Sequence, residues 1–95
     1  QTLANIGLVH QAKGDLDLAL EYHSDALLID RDIKDRLGEA QDLGSIGMIY
    51  YRKGNYRAAS THLKEARELL LETGPASDLE TVENTIREIE ADTAV

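Results

Sequence analysis

The sequence predicts an all-α chain: two antiparallel helix pairs in tandem, followed by a fifth helix that closes the stack. Three observations carry this. Leu3, Ile6, Gly7, Lys13, Gly14, Ala19 and Ala26 recur 40 residues on as Leu43, Ile46, Gly47, Lys53, Gly54, Ala59 and Ala66. Apolar residues recur at three- and four-residue spacing through five segments, the period of a helix with one buried face. Glycine followed by aspartate or asparagine punctuates the segments at Gly14-Asp15 and Gly54-Asn55, residue types that end one helix and begin another. A repeat between 20 and 50 residues long signals stacked supersecondary units, which work through their surface rather than a catalytic cleft.

The first segment, Gln1 to Lys13, sets Leu3, Ile6 and His10 on one face. No start signal precedes its first apolar residue. Gly14 suits a left-handed C′ position, and Asp15 follows as N-cap of a second helix, Leu16 to Asp30. That helix carries Leu16, Ala19, Leu20, His23, Ala26, Leu27 and Ile29. The polar stretch Arg31 to Arg36 reads as a connection. The third helix, Leu37 to Lys53, turns Leu43, Ile46, Ile49 and Tyr50 inward; Gly54 ends it and Asn55 caps the next. The fourth, Tyr56 to about Leu71, carries Ala59, Leu63, Ala66, Leu69 and Leu70. Gly74-Pro75 is the strongest breaker in the chain. Ser77-Asp78-Leu79-Glu80 has the form of a capping box, opening a fifth helix from about Asp78 to Ala91 with Leu79, Val82, Ile86 and Ile89 on one stripe. The residues beyond it are expected to fray. The implied divisions are repeats over 1–33 and 34–73 and a closing helix with its tail over 74–95.

A helix-interior glycine costs roughly 1 kcal/mol against alanine, so Gly7 and Gly47, at matching places, need a reason. Close approach of the partner helix, opposite Ala19 and Ala59, supplies one.

Ninety-five residues make one domain at most. The window opens at Gln1 without methionine and reads as a piece of a longer array or a processed chain. It holds no apolar stretch of about 18 residues and no leader pattern, so no membrane contact is expected and a cytoplasmic location is. The absence of cysteine removes disulfides and thiolate metal sites. The net charge of −8 argues against nucleic acid, whose binding rests on basic residues that neutralise phosphates. The charge is uneven, at −4 over 1–33, +2 over 34–71 and −6 over 72–95.

The two units resemble the tetratricopeptide repeat. The first reads Leu3, Ile6-Gly7, His10, Gly14-Asp15-Leu16, Ala19 and Ala26; the second reads Leu43, Ile46-Gly47, Tyr50, Gly54-Asn55-Tyr56, Ala59 and Ala66. The resemblance spans nearly all of residues 1–71 and implies an α-solenoid fragment. Two departures stand out. The family period is about 34 residues, with the surplus here placed in the Lys34–Glu39 region, and Arg31 and Leu71 stand where a proline is common. The entry Asp35-Arg36-Leu37-Gly38-Glu39-Ala40 is similar to 40-residue repeats of Pins/LGN-type adaptors and of prokaryotic signalling regulators. In the last segment Ile86 falls at the glycine place, so that segment resembles the capping helix that closes such arrays; its acidic Glu83, Glu88, Glu90 and Asp92 read as a solvated face.

What the resemblance implies is a scaffold that binds a peptide segment of a protein partner. The first helix of each pair would line a concave surface, with Gln1, Ala4, Asn5, Leu8, Gln11 and Ala12 in one unit and Gln41, Gly44, Ser45, Met48, Tyr51 and Arg52 in the other. Asn5, Leu8, Gln11, Gln41, Ser45, Met48, Tyr51 and Arg52 are the peptide-contacting candidates. Leu8, Met48 and Tyr51 are large and not required by the repeated core, and Arg52 suits an acidic ligand side chain. Family members that clamp a C-terminal carboxylate use a lysine and asparagines; Ala4 or Gly44 and Leu8 or Met48 occupy those places here, so that ligand is disfavoured. The competing reading is a structural spacer or self-association module, with a homodimer formed through the N-terminal face at Leu3, Ile6 and Val9. The charge asymmetry adds an expectation that the last helix folds over the groove with its acids near Arg52 and Lys53. No catalytic residue, cofactor or metal is expected. His10 and His23 stand at core places of the other unit, His62 is expected to be partly exposed, and no strained turn presents a nucleophile.

Overall fold

Each helix of the chain packs on the one before it. The computed structural model describes residues 2–93. It contains α1 (Leu3–Lys13), α2 (Leu16–Asp32), α3 (Arg36–Arg52), α4 (Tyr56–Thr73) and α5 (Ala76–Thr93), with no strand among the described residues. Contacts run α1 to α2, α2 to α3, α3 to α4 and α4 to α5, and α5 also touches α3. The stack measures 41 × 31 × 19 Å. The expected all-α architecture of two helix pairs and a closing helix is observed.

The three turns between the first four helices share one backbone solution. After α1, Gly14 sits at φ 87°, its N–H donates to Gln11 O at 3.1 Å, and the Asp15 N–H reaches back to His10 O at 2.9 Å. After α3, Gly54 sits at φ 81° with the same pair of bonds, to Tyr51 O at 3.0 Å and from Asn55 to Tyr50 O at 2.9 Å. After α2 the left-handed residue is Lys34, φ 61°, with bonds from Lys34 to Arg31 O at 3.3 Å and from Asp35 to Asp30 O at 2.8 Å. This is the Schellman arrangement, which satisfies carbonyls orphaned at a helix end. The residue after each left-handed position starts the next helix. Asp35 and Asn55 cap through their side chains, on Gly38 N at 2.9 Å and Ala58 N at 3.2 Å.

Several expected boundaries move. Thr2 is a start signal for α1: its hydroxyl accepts from Asn5 N at 3.1 Å. Asp15 holds the N-cap place but makes no side-chain cap bond; its carboxylate lies 3.7 Å from His10 Nδ1 instead. The connection Arg31–Arg36 shrinks to residues 33–35, because a lysine accepts the left-handed turn and both helices run up to it. The surplus residues of the repeat therefore go into helix, not loop. The capping box at Ser77 does not form. The Leu79 N–H already bonds Pro75 O at 3.2 Å, so Pro75 holds the N-cap place, the helix opens at Ala76, and Ser77 lies inside its first turn. Ile29 is 50% exposed rather than part of the core. α5 runs on to Thr93, past its expected end at Ala91, and the expectations for Gln1 and for fraying at Ala94 and Val95 lie outside the described residues.

The core is weighted towards α3, α4 and α5. Leu63, Leu70, Val82, Ile86 and Ile89 form one cluster with Ala40 and Ala59. Leu27, Leu43, Ile46 and Ala66 form a second. Gly47 is obligatory here: a Cβ would stand 2.6 Å from Leu63 Cγ and 3.3 Å from the Ala59 carbonyl. Gly7 is the equivalent, with the His23 ring 2.9 to 3.1 Å from where its Cβ would be. The large residue one turn beyond the repeated alanine, rather than the alanine itself, is what each glycine admits. A second device is repeated with its partners exchanged. His10 stacks on Tyr22 at 5.5 Å in the first pair, and Tyr50 stacks on His62 at 5.4 Å in the second. His62 is half-buried, as expected, and its Nδ1–H donates to Ala58 O at 2.8 Å. On the outside, Arg31 pairs with Glu39 at 3.2 Å and Glu65 at 3.0 Å, and Arg36 pairs with Glu72 at 2.7 Å. These link α2, α3 and α4, though exposed pairs contribute only about 0–1 kcal/mol each.

Candidate functional site

The candidate residues lie on α1 and α3, which do not pack along one another. Their C-terminal ends are tied by one bond, from Arg52 Nη1 to the Gln11 carbonyl at 2.9 Å. Their N-terminal halves border an open cavity of about 590 Å³ that reaches down to α2. A second cavity, about 270 Å³, adjoins the first and is walled by Asp78, Thr81 and Val82 of α5. Gln41 and Ser45 border both, so the two cavities lie side by side along α3.

The candidate residues divide between these spaces. Asn5 and Leu8 line the first cavity, and Leu8 is 50% exposed. Gln11 and Met48 line the second, with the Gln11 Oε1 buried and without a hydrogen-bond partner. Tyr51 and Arg52 line neither. Tyr51 packs against the α3–α5 core, lies 5.5 Å from the Tyr56 ring and donates to Glu88 Oε2 at 3.3 Å. Partial desolvation, then Glu88, raises its phenol above the ordinary value, so it is a neutral donor near pH 7. Met48 also leans on that core. The reading of Met48 and Tyr51 as spare of the core is thus corrected: α5 covers what a bare pair of repeats would leave open. The expected pairing of α5 acids with Arg52 and Lys53 gives way to other partners, Gln11 for Arg52 and Asp17 for Lys53.

The floor of the first cavity holds groups that sequence reasoning passed over. Asp42 is 2% exposed, and its Oδ2 has no hydrogen-bond partner. Burial, then a hydrogen bond with Asp30 and the charges of Asp30 and Asp35, raises its carboxyl to about 8. His23 is 1% exposed with both ring nitrogens unpartnered, and burial lowers its pKa. A signal for this cluster was present in the repeat. Asp30 stands 40 residues before Leu70, a core leucine of the second unit, so the first unit carries charge where the second carries hydrocarbon.

Among the described residues no group of three or more His, Cys, Asp or Glu side chains could hold a metal ion. None of the described helices is long and apolar enough to cross a membrane. Glu83, Glu88, Glu90 and Asp92 are exposed along the outside of α5.

Comparison with curated proteins and with solved structures returned no match. A family model described as tetratricopeptide repeat matches residues 1–72, the span of α1 to α4 short of its last residue. With the turns, the paired glycines and the helix stack in agreement, the chain belongs to the tetratricopeptide repeat family.

Proposed function

We propose that the inner face of α1 and α3 binds a peptide segment of a partner protein. Repeats of this family generally mediate protein–protein interaction and are typically non-enzymatic. The observation that carries the finer reading is the pair of adjoining open cavities along α3, bordered in common by Gln41 and Ser45. Leu8 and Met48 offer apolar contact, and Asn5, Gln41 and Ser45 offer hydrogen bonds, the mixture that orients an extended or helical segment. The helices hold the surface preformed, which limits the ordering cost of binding.

Selecting peptides from a displayed random library, then titrating them by calorimetry, tests this. Binding should fall at least tenfold, about 1.4 kcal/mol, in Met48→Glu and Ser45→Arg and survive in the outward-facing Thr61→Glu. Equal loss in all three, or equal binding by all, would refute it.

A second reading is favoured by one observation. Val9, Leu18, Leu28 and Ile33 are exposed on α1, α2 and the turn after α2. Exposed apolar edges of stacked helices favour pairing, so self-association through the α1–α2 side is the alternative. Sedimentation showing a monomer at every concentration would exclude it.

A further inference from the structure

The first cavity is acidic on one side and, among the described residues, no lysine or arginine lines it. Asp30 Oδ2 and Asp35 Oδ2 both lie 2.7 Å from where a Cβ on Gly38 would stand, so glycine keeps their carboxylates close together. Asp42 sits one helical turn further along α3 with its Oδ2 unsatisfied. Among the described residues no lysine or arginine pairs with any of the three: Arg31 is held by Glu39 and Glu65, Arg36 by Glu72 and Lys53 by Asp17. The Asp30 and Asp35 carboxylates repel one another in this half-buried space, Asp42 keeps its proton beside them, and its unpartnered buried oxygen is costly. Both costs fall when a cation with several N–H donors enters. His23 gives an independent sign. It lies in the same cavity wall, nearly fully buried, with neither nitrogen bonded.

We propose that this cavity receives the basic side chain of a bound partner segment, with Asp30, Asp35 and Asp42 as the groups that hold it. The proposal rests on the peptide-binding reading above and adds the ligand's chemistry. Arginine and lysine share the required features. Each carries a methylene stem, which Leu3, Leu8 and Ile29 in the cavity wall can cover. Each ends in donors without acceptors. A guanidinium offers five N–H groups in a plane and matches several carboxylates at once; an ammonium offers three. His23 presents an unprotonated nitrogen rather than a competing charge, because burial disfavours its cation.

The test uses the chain with side-chain analogues: n-propylguanidinium, n-butylammonium and, as the anionic control, butyrate. Backbone amide shifts are followed by NMR. The expected result is saturable shifts at Gly38, Asp42 and Ser45 with at least one cation and none with butyrate, with affinity about tenfold weaker in both Asp42→Asn and Asp30→Asn. Circular dichroism establishes that each variant is folded, and Asp30→Asn serves if Asp42→Asn is not. Saturation by guanidinium alone assigns arginine, and by ammonium alone lysine. No saturable shift with either cation, or equal affinity in the folded variants, overturns the proposal. Failure of the peptide-binding reading looks different. Selected peptides that lose binding in Met48→Glu but tolerate replacement of arginine by citrulline and lysine by norleucine leave the groove standing and remove the pocket. Cation binding in the absence of any groove peptide does the reverse.

Discussion

Leu3, Ile6 and Val9 of α1 and Leu43, Ile46 and Ile49 of α3 occupy the same places in two copies of one motif, yet their surroundings differ. The α3 residues are buried, at 1%, 3% and 0% exposure, whereas Leu3 and Ile6 are half-buried and Val9 is 52% exposed. The cause is the number of neighbours. α3 lies among α2, α4 and α5, while α1 packs along α2 alone. In a stacked array each unit is stabilised by its own pairing plus its interfaces, so one motif yields a core in one unit and an edge in the other. The polar residues follow the same division. Where the second pair packs Leu63 on Gly47, the first packs His23 on Gly7, beside the open cavity.

The largest expected effect sets the two units directly against each other. Leu43→Ala should cost about 3 kcal/mol, since it opens a cavity in a closed core, and Leu3→Ala about 1 kcal/mol or less. Urea denaturation of the two variants measures the difference, and equal losses would break the comparison. Next comes the seam between the units. The Asp42 carboxyl, raised to about 8 from 3.8, holds its proton more tightly folded than unfolded. Its contribution is therefore present at low pH and lost as pH rises through about 8. His23, lowered from 6.5, acts the other way and loses stability as pH falls below that value. Between pH 6.5 and 8.5 stability should drop by between about 1 and 2 kcal/mol, and Asp42→Asn should flatten that slope in a thermal-melt series. The smallest effect is a transplant. His23→Leu puts the second unit's residue into the first, removes two unpartnered nitrogens and should stabilise by about 1 kcal/mol. A loss of stability would mean that His23 is held for packing that leucine cannot reproduce.

The groove was legible only in outline. Asn5, Leu8, Gln41 and Ser45 border the first cavity, as their helix faces implied, because residues at fixed helical spacing share a side whatever surrounds them. Tyr51 and Arg52 share that spacing but are engaged by α5 and α1. Those partners lie 37 and 41 residues away along the chain, and no local pattern reports them. The acidic floor was missed for the same reason. Asp30, Asp35 and Asp42 look like ordinary surface acids until α2 and α3 bring Asp30 and Asp35 around Gly38 and set Asp42 beside them.

The sequence by itself determined the repeat, the helix order, the glycine turns at Gly14 and Gly54, and the paired glycines that admit a neighbour's side chain. These follow from local rules: helical period, left-handed φ and the room a missing Cβ leaves. Only the tertiary structure decided how long α2 and α3 run, since Lys34 takes a left-handed turn that its residue type does not announce. It alone decided that α5 packs on Met48 and Tyr51 and walls one of the two cavities along α3 but not the other. Burial and charge environment are sums over neighbours, and neighbours are set by the stack.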